Sequence, residues 1–430
     1  MDGGLLPHPH HEKCRKGTDR ADPTGNLPSR TDCGAMTAAR PTSNPHRDKC
    51  AIAGIGATPF TRQSNRTTLA LAAEASLSAI LEAGFSAQDV DGIVSCDLEE
   101  VLPNDLAATL GLKSLTHWSS VTTGGTAPAA MVGQAVAAIL AGLATTVLVF
   151  RSLNGRSGPR LNGTGVNNAL TAHHEEFTAP YGLTAPGSFF ALLADRHMHE
   201  FGTRQEDLAA VAIACRNRAN ANPAAQMYER TLTLAEYLES RVLSSPLRLY
   251  DYCLETDGAC AVVVTSTERS RDAAQPPAVI RAVAQATGAD IGVGHMFPHL
   301  LREDAIALPS SATATELYRR AGLGPDDVDV AQLYDCFTIT ALLQLEDYGF
   351  CKRGEAGPFA AGGAIEIDGR IPINTSGGHL SEGYIHGMNH VLEGVRQVRG
   401  TSTSQVAGAE TCLVTSAPVG ASALLLRADR

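Results

Sequence analysis

From Cys50 onward the chain alternates short, continuously apolar runs with longer stretches in which apolar residues recur at helical spacing. The first kind predicts strands at 50–60 (CAIAGIGATPF), near 91–95, at 145–150, 261–266 (AVVVTS), 278–286 (AVIRAVAQA) and 422–428 (SALLLRA). The second kind predicts helices. Residues 67–83 place Leu69, Ala73, Leu77, Ile80 and Leu81 on one stripe, and 127–141 is Ala-rich. Strands alternating with helices predict a largely parallel sheet covered by helices. Residues 152–250 break the rhythm: Gly and Asn dominate 154–168, then helices rich in His, Arg and Asn follow. That is the character of an insertion between core elements, where specificity usually sits. Residues 1–48 show no apolar periodicity and are expected to be a disordered tail, with Met36 as an alternative start. Residues 49–274, including the insertion, and 275–430, entered through Gln275-Pro276-Pro277, then form two halves.

The halves read as copies of one unit. AGFSAQDVDGIVSCD at 83–97 and AGLGPDDVDVAQLYD at 321–335 share Ala, Gly, Asp, Val, Asp and the final Asp at an offset of 238 (321 − 83). Each copy follows an amphipathic helix and precedes a Thr/Ser-Gly-Gly turn into another helical stretch, at 122–142 and 374–400. A period this long is not that of a solenoid. It implies a pseudo-twofold core in which two equivalent helix starts face one site.

Composition narrows the function classes. With 34 Lys and Arg against 45 Asp and Glu, the net charge of −11 gives nucleic-acid binding no electrostatic support. The ten cysteines form no CxxC pair, so neither a zinc ribbon nor a thioredoxin-like site is indicated, and idle thiols of a reducing cytoplasm are expected. His8, His10, His11 and Cys14 lack a second paired half and are expected to be solvated, so no metal site is predicted. The start is polar and has no secretory h-region. Residues 129–150 are long enough for a membrane span, but Gly142 and Thr145-Thr146 divide them and no basic cluster flanks them, so a buried helix and a core strand are expected.

SSPLRLYDYCLETDGACAVVV at 244–264, YDCFT at 334–338, NTSGGHLSEG at 374–383 and the Gly420 turn, taken with the duplication, resemble the thiolase superfamily over about residues 50–428. The resemblance is to its lipid-transfer-protein/sterol-carrier branch. It implies an α/β fold, a thiolase-like five-layered αβαβα sandwich of two pseudo-equivalent halves, usually a homodimer, acting on acyl-coenzyme A. The family's acyl-transfer residues do not carry over. Its nucleophilic Cys, at the start of the first central helix, falls on Gly125. Its Gly-His-Pro histidine falls on Tyr384, the branch's His before Asp-Cys-Phe on Tyr334, and the C-terminal Cys or His on Val414. This pattern resembles the steroid side-chain aldolases of the branch. It implies retro-aldol cleavage of a β-hydroxyacyl-CoA steroid side chain to a ring ketone and propionyl-CoA (or acetyl-CoA), in sterol or bile-acid catabolism. It also implies a small OB-fold/zinc-ribbon partner, often linked to a hydratase, and no cofactor beyond the coenzyme A of the thioester.

A retro-aldol step needs a base on the hydroxyl and stabilisation of the thioester enolate, but no covalent nucleophile. Tyr334 and Tyr384 are the expected acid/base pair, with Asp335 orienting Tyr334 or bracing its loop. A free phenol titrates near about 10, so a helix starting near Tyr384 is expected to favour its phenolate. Gly125 is expected to leave room for the ring system, and Thr126, Gly378, His379 and His386 to join it in contacting substrate. Backbone N–H groups at Thr123–Thr126 are candidate enolate donors. Arg204, Arg216 and Arg218 read as a solvated helix face rather than phosphate ligands. The alternatives are a divergent thiolase with a relocated nucleophile, Cys96 or Cys253, and a non-catalytic acyl-CoA or lipid carrier.

Overall fold

The structure, a computed structural model, describes residues 44, 46–122, 124–158, 179–183, 185–288, 300 and 302–429. The first half comprises β1 (Cys50–Ala57), α1 (Thr68–Glu82), β2 (Gly92–Cys96), α2 (Pro103–Leu110), β3 (His117–Val121), α3 (Ala127–Leu140) and β4 (Thr146–Asn154). The insertion carries α4 (Pro186–Phe201), α5 (Gln205–Asn220), α6 (Leu234–Glu239) and the small hairpin β5 (Val242–Ser244) and β6 (Leu247–Arg248). Strand β7 (Asp257–Ser266) closes that half. The second half runs β8 (Ala278–Gln285), α7 (Pro309–Ala321), β9 (Val330–Gln332), α8 (Thr338–Asp347), α9 (Ala356–Ala361), α10 (Gly378–Ser381), α11 (Met388–Arg399), β10 (Thr411–Thr415) and β11 (Ser422–Ala428).

Strand order in the large sheet is β3-β2-β4-β7-β1-β8-β11-β10-β9. Apart from the extra edge strand β3, this is a palindrome about the β1/β8 seam. The pairings repeat as well: β2/β4 and β9/β10 are parallel, while β4/β7 and β10/β11, then β7/β1 and β11/β8, are antiparallel. The sheet is therefore mixed, not largely parallel as the strand–helix alternation predicted. A strand buried on both faces reads as a plain apolar run whichever way it points. Connection length does not reveal direction either: β4/β7 is antiparallel across the long insertion and β10/β11 is antiparallel across the short 416–421 turn.

Strand alternation sorts the side chains into layers. Val147 and Val149 of β4, Val262 and Val264 of β7, Cys412 and Val414 of β10, and Leu424 and Leu426 of β11 face one shared core. Both central helices enter that core, through Met131 and Val132 of α3 and Val391, Leu392 and Val395 of α11. The intervening residues face outward: Leu148, Phe150, Ala261 and Val263 onto α1, and Leu413, Ala423 and Leu425 into the core that holds α7 and the insertion. Helix, half-sheet, central pair, half-sheet and helix make five layers.

The stripe expected on α1 is rotated. Leu77 and Leu81 are 46% and 63% exposed, while Leu71, Ala72, Ala75, Ala79 and Ile80 are buried. The cause lies in β1. A Cβ on Gly54 would stand 2.1 Å from the Ala79 carbonyl oxygen, and one on Gly56 2.2 Å from that of Ala75. The helix backbone lies directly on the strand, so its small-residue face must point inward.

Residues 46–48, expected in the tail, belong to the folded body. Arg47 Nη2 donates to the Arg320 carbonyl (2.8 Å), and Asp48 pairs with Arg281 (2.6 Å) and Arg427 (3.0 Å). The rest of the predicted tail, with its His8, His10, His11 and Cys14 cluster, lies outside the described residues apart from Asn44, as does Thr123. Among the described residues no helix is long and apolar enough to cross a membrane.

Candidate active site

Tyr334 and Asp335 follow β9, and their side chains part: the Tyr334 hydroxyl meets Gly125 and the Asp335 carboxylate meets α10. Three hydrogen bonds pin the Tyr334 main chain: its N–H donates to Thr415 Oγ1 (2.9 Å), and its carbonyl accepts from Thr340 Oγ1 and Gln344 Nε2 (2.8 Å each). Its ring projects across the core toward the first half and stops against Gly125. A Cβ added there would lie 2.1 Å from the Tyr334 hydroxyl oxygen and 2.9 Å from Cζ. The gap expected to admit a ring system is thus occupied by a phenol of this chain. Glycine is required at 125 because Tyr334 comes from the other half to fill the space.

Tyr384 reaches the same point from the break between α10 and α11. Its N–H donates to Thr256 Oγ1 (2.9 Å), and its hydroxyl lies 2.8 Å from that of Tyr334. The chain turns through left-handed backbone at His386 (φ 50°) and Gly387 (φ 93°), and only then does α11 begin at Met388. The expectation that a helix start lowers the Tyr384 pKa therefore fails. Burial pushes both phenols well above their ordinary range. The Tyr384 hydroxyl raises Tyr334 further, whereas Tyr334 and Arg151 partly relieve Tyr384. At neutral pH both rest protonated.

Asp335 is fully buried, and its carboxylate accepts from the backbone N–H groups of His379 (2.9 Å) and Leu380 (3.3 Å) and lies 3.0 Å from His390 Nε2. It does not reach either hydroxyl. Of its two expected roles, it fills the bracing one, tying the Tyr334 segment to α10 and hence to the turn that carries Tyr384. Burial opposes its ionisation, but the His379 and His390 imidazoles and the His379 N–H outweigh that and hold its pKa at about 2. Gly378 (φ 62°) serves the carboxylate: a Cβ there would lie 2.2 Å from Asp335 Oδ2.

An inner cavity of about 150 Å³ is lined by both tyrosines, Gly125, His386, Phe190, Cys253, Cys336 and Ala417, among others. Of the five predicted substrate contacts, Gly125 and His386 line it. Gly378, His379 and Thr126 do not. His379 is buried edge-on against Tyr334 and Tyr384 (ring centroids 4.6 and 5.0 Å), and the Thr126 carbonyl accepts from Ser422 Oγ (2.6 Å) at the base of α3. Helical and strand periods give the face of an element, but not which face meets the cavity.

The inner cavity shares Cys253, Leu254 and Glu255 with an outer one of about 850 Å³, whose walls include Arg62, Arg156, Arg216 and Arg230. The larger space lies outside the phenols and the chemistry belongs to the smaller. Arg216 and Arg218 are buried, which corrects the solvated-face reading; Arg216 Nε donates to Ser381 Oγ (3.0 Å) and Arg218 Nη2 to the Ile365 carbonyl (2.7 Å). Burial raises the thiol pKa of Cys96 and Cys253, so neither is an activated nucleophile.

Sequence reasoning missed Arg151 and Glu99. Arg151 is 4% exposed at the end of the core run TVLVF, and its guanidinium joins Glu99 to His386. A charge inside an apolar strand was the available signal.

A five-layered α/β core with two central helices beside an inner cavity is the thiolase fold, here with a phenol against Gly125, where the resemblance places a nucleophilic thiol. The comparisons agree on the fold. Residues 296–423 match the "Thiolase C-terminal domain-like" family. The chain is 43% identical to the 17-hydroxy-3-oxo-4-pregnene-20-carboxyl-CoA lyase of Mycobacterium tuberculosis, over 86% of this chain and 96% of that one. It is also 43% identical to a steroid side-chain-cleaving aldolase of Thermomonospora curvata, over 88% and 98%. The solved Ltp2-ChsH2(DUF35) aldolase superposes with a TM-score of 0.84 at 42% identity, covering 89% of this chain and 99% of that one. The chain belongs to the thiolase superfamily and, within it, to the family of these aldolases.

Proposed function

We propose that this protein cleaves the side chain of a CoA-linked steroid by a retro-aldol reaction, leaving a ring ketone and propionyl-CoA, or acetyl-CoA from a shorter chain. The carrying observation is the pair of neutral phenols in contact at 2.8 Å inside the inner cavity, with no thiol at Gly125. A free phenolate at pH 7 costs about 4 kcal/mol, from three pKa units at about 1.4 kcal/mol each, before burial adds to it. Burial makes a resting phenolate the wrong starting state. A relay avoids it: as one phenol accepts the substrate hydroxyl proton it passes its own to the second, and the second gives up its own to the α-carbon, so neither phenol gains or loses a proton overall. The C–C electrons flow toward the thioester, giving it enolate character until the α-carbon is protonated, and the ring carbon becomes a carbonyl. Tyr384, less buried than Tyr334 and acted on by the Arg151 charge, meets the hydroxyl, and Tyr334 completes the relay. Asp335 positions both.

Arginines 62, 156, 216 and 230 suit the phosphates of coenzyme A, which enters as part of the thioester; no other cofactor is needed. The edge strand β3, with Trp118 60% exposed, suits pairing with a second copy in a homodimer. The solved Ltp2-ChsH2(DUF35) aldolase carries two proteins in its name, which supports a partner here, of the OB-fold/zinc-ribbon kind and possibly linked to a hydratase. Eight described cysteines, all free, suit the cytoplasm.

The test is incubation with a β-hydroxyacyl-CoA steroid, with and without that partner. Equal amounts of ring ketone and propionyl-CoA are expected. Thiolysis of a 3-ketoacyl-CoA instead would establish a thiolase, and stoichiometric binding without turnover a carrier.

A further inference from the structure

We propose that His386 donates a hydrogen bond from Nε2 to the thioester oxygen of the enolate, and that Arg151 and Glu99 lock it in the tautomer able to do so. This rests on the retro-aldol reading. Arg151 Nε lies 3.1 Å from His386 Nδ1, and its Nη1 binds Glu99 Oε2 (3.0 Å) and the Ser152 carbonyl (2.6 Å). Glu99 is itself held by the Ser152 (2.7 Å) and Val101 (3.2 Å) N–H groups. A guanidinium donates and never accepts. His386 Nδ1 must therefore present its lone pair, which leaves the proton of the neutral ring on Nε2, on the side of the ring away from Arg151. Burial, then the Arg151 charge, lowers the His386 pKa well below its usual value, so the ring stays neutral.

Placement supports the same role. His386 lines the inner cavity, its ring centroid 5.1 Å from that of Tyr384. It holds a left-handed φ of 50°, a conformation that costs a side-chain-bearing residue about 1 kcal/mol or more and persists where the surrounding structure over-determines it, as the Arg151 contact does here. The chemistry needs a neutral donor. As the C–C bond breaks, negative charge collects on the thioester oxygen, and an N–H aimed there stabilises it. An imidazolium would give that oxygen its proton, whereas a neutral imidazole keeps its own and leaves protonation of the α-carbon to the tyrosines. His386 is then a catalytic residue, and Arg151 and Glu99 are positioning residues.

The experiment combines kinetics with ¹⁵N NMR of the histidine rings in the full-length protein, with the partner present for turnover. His386→Phe is expected to lower kcat by about 10²–10³-fold, the usual loss for one oxyanion donor, with KM nearly unchanged. His386→Gln, whose amide can donate, is expected to recover about tenfold of that. The titratable groups that face the ring are Arg151 from β4 and Tyr384 and His379 from the 378–386 segment, while Glu99 and Cys96, from the end of β2 and its loop, act on Arg151 behind it. Against that surround the ring should show Nε2–H, and no protonation, from pH 6 to 8. Removing the Arg151 charge would strand buried Glu99, so Arg151→Lys is the variant used; it should mix the tautomers and lower kcat without raising KM. An Nδ1–H tautomer in the wild type, or wild-type kcat in His386→Phe, overturns the proposal. A wild type that shows the Nε2–H tautomer but cleaves nothing overturns the retro-aldol reading instead.

Discussion

The two halves of this molecule are one structural unit used for two purposes. The turns Ala87–Asp89 and Pro325–Asp327 sit at the offset of the sequence repeat, as do the strands that follow them. In both halves the final aspartate of the repeat accepts backbone N–H groups at or just after its Gly-Gly turn: Asp97 from Gly124 (3.2 Å), Asp335 from His379 and Leu380. The residue before that aspartate differs. In the first half it is Cys96, a buried thiol; in the second it is Tyr334, which crosses to the first half. The glycines of the two turns record the difference, since Gly125 makes way for the Tyr334 hydroxyl and Gly378 for the Asp335 carboxylate. One half thus supplies space and a straight helix start. The other supplies both phenols, and it interrupts its helix to place the second.

The largest effect that tests this comparison is on the tyrosines. Tyr384→Phe and Tyr334→Phe should each lower kcat by about 10³-fold or more while leaving the thermal unfolding midpoint nearly unchanged. Cys96→Ala, at the pseudo-equivalent position, should leave kcat within a few-fold. Full activity in both Phe variants would end the assignment of the phenols, and an equal loss in Cys96→Ala would end the asymmetry of the halves.

Next comes Gly125→Ala. The added methyl should displace the Tyr334 ring, cost about 1–3 kcal/mol of stability by overpacking and reduce activity to that of the Tyr334 variant. In a Tyr334→Ala background the same change should cost almost nothing, a coupling that urea unfolding of the double-mutant cycle reads directly. Additive effects would mean that the phenol is not what demands the glycine.

The smallest contrast is between the aspartates. Asp335→Asn should destabilise by about 2–3 kcal/mol, because a buried charge-assisted network loses its acceptor, and the less buried Asp97→Asn by under about 1 kcal/mol. The folded pKa of Asp335, at about 2, lies below the unfolded value of about 3.9. Its contribution is therefore complete above pH 4 and lost as the pH falls through 2, so the wild-type advantage over Asp335→Asn should shrink across that window. A constant gap would show that the carboxylate is not held in its ionised form by its neighbours.

The repeat, the apolar runs and the Gly-Gly turns determined that the chain folds as two related halves around paired central helices. The residues at 125, 334 and 384 placed a glycine and two phenols where the resemblance puts a thiol and two imidazoles. Strand direction was not legible, because a run buried on both faces carries no sign of its neighbour's polarity. Nor was the inward face of α1, which two glycines on another element decided. Only tertiary packing revealed that Tyr334 occupies the space above Gly125, that Gly378 serves Asp335 rather than substrate, and that Arg151 joins Glu99 to His386 across the core. Local sequence sets which residues an element presents. Where those residues meet is fixed by contacts between segments hundreds of residues apart, and no local pattern encodes them.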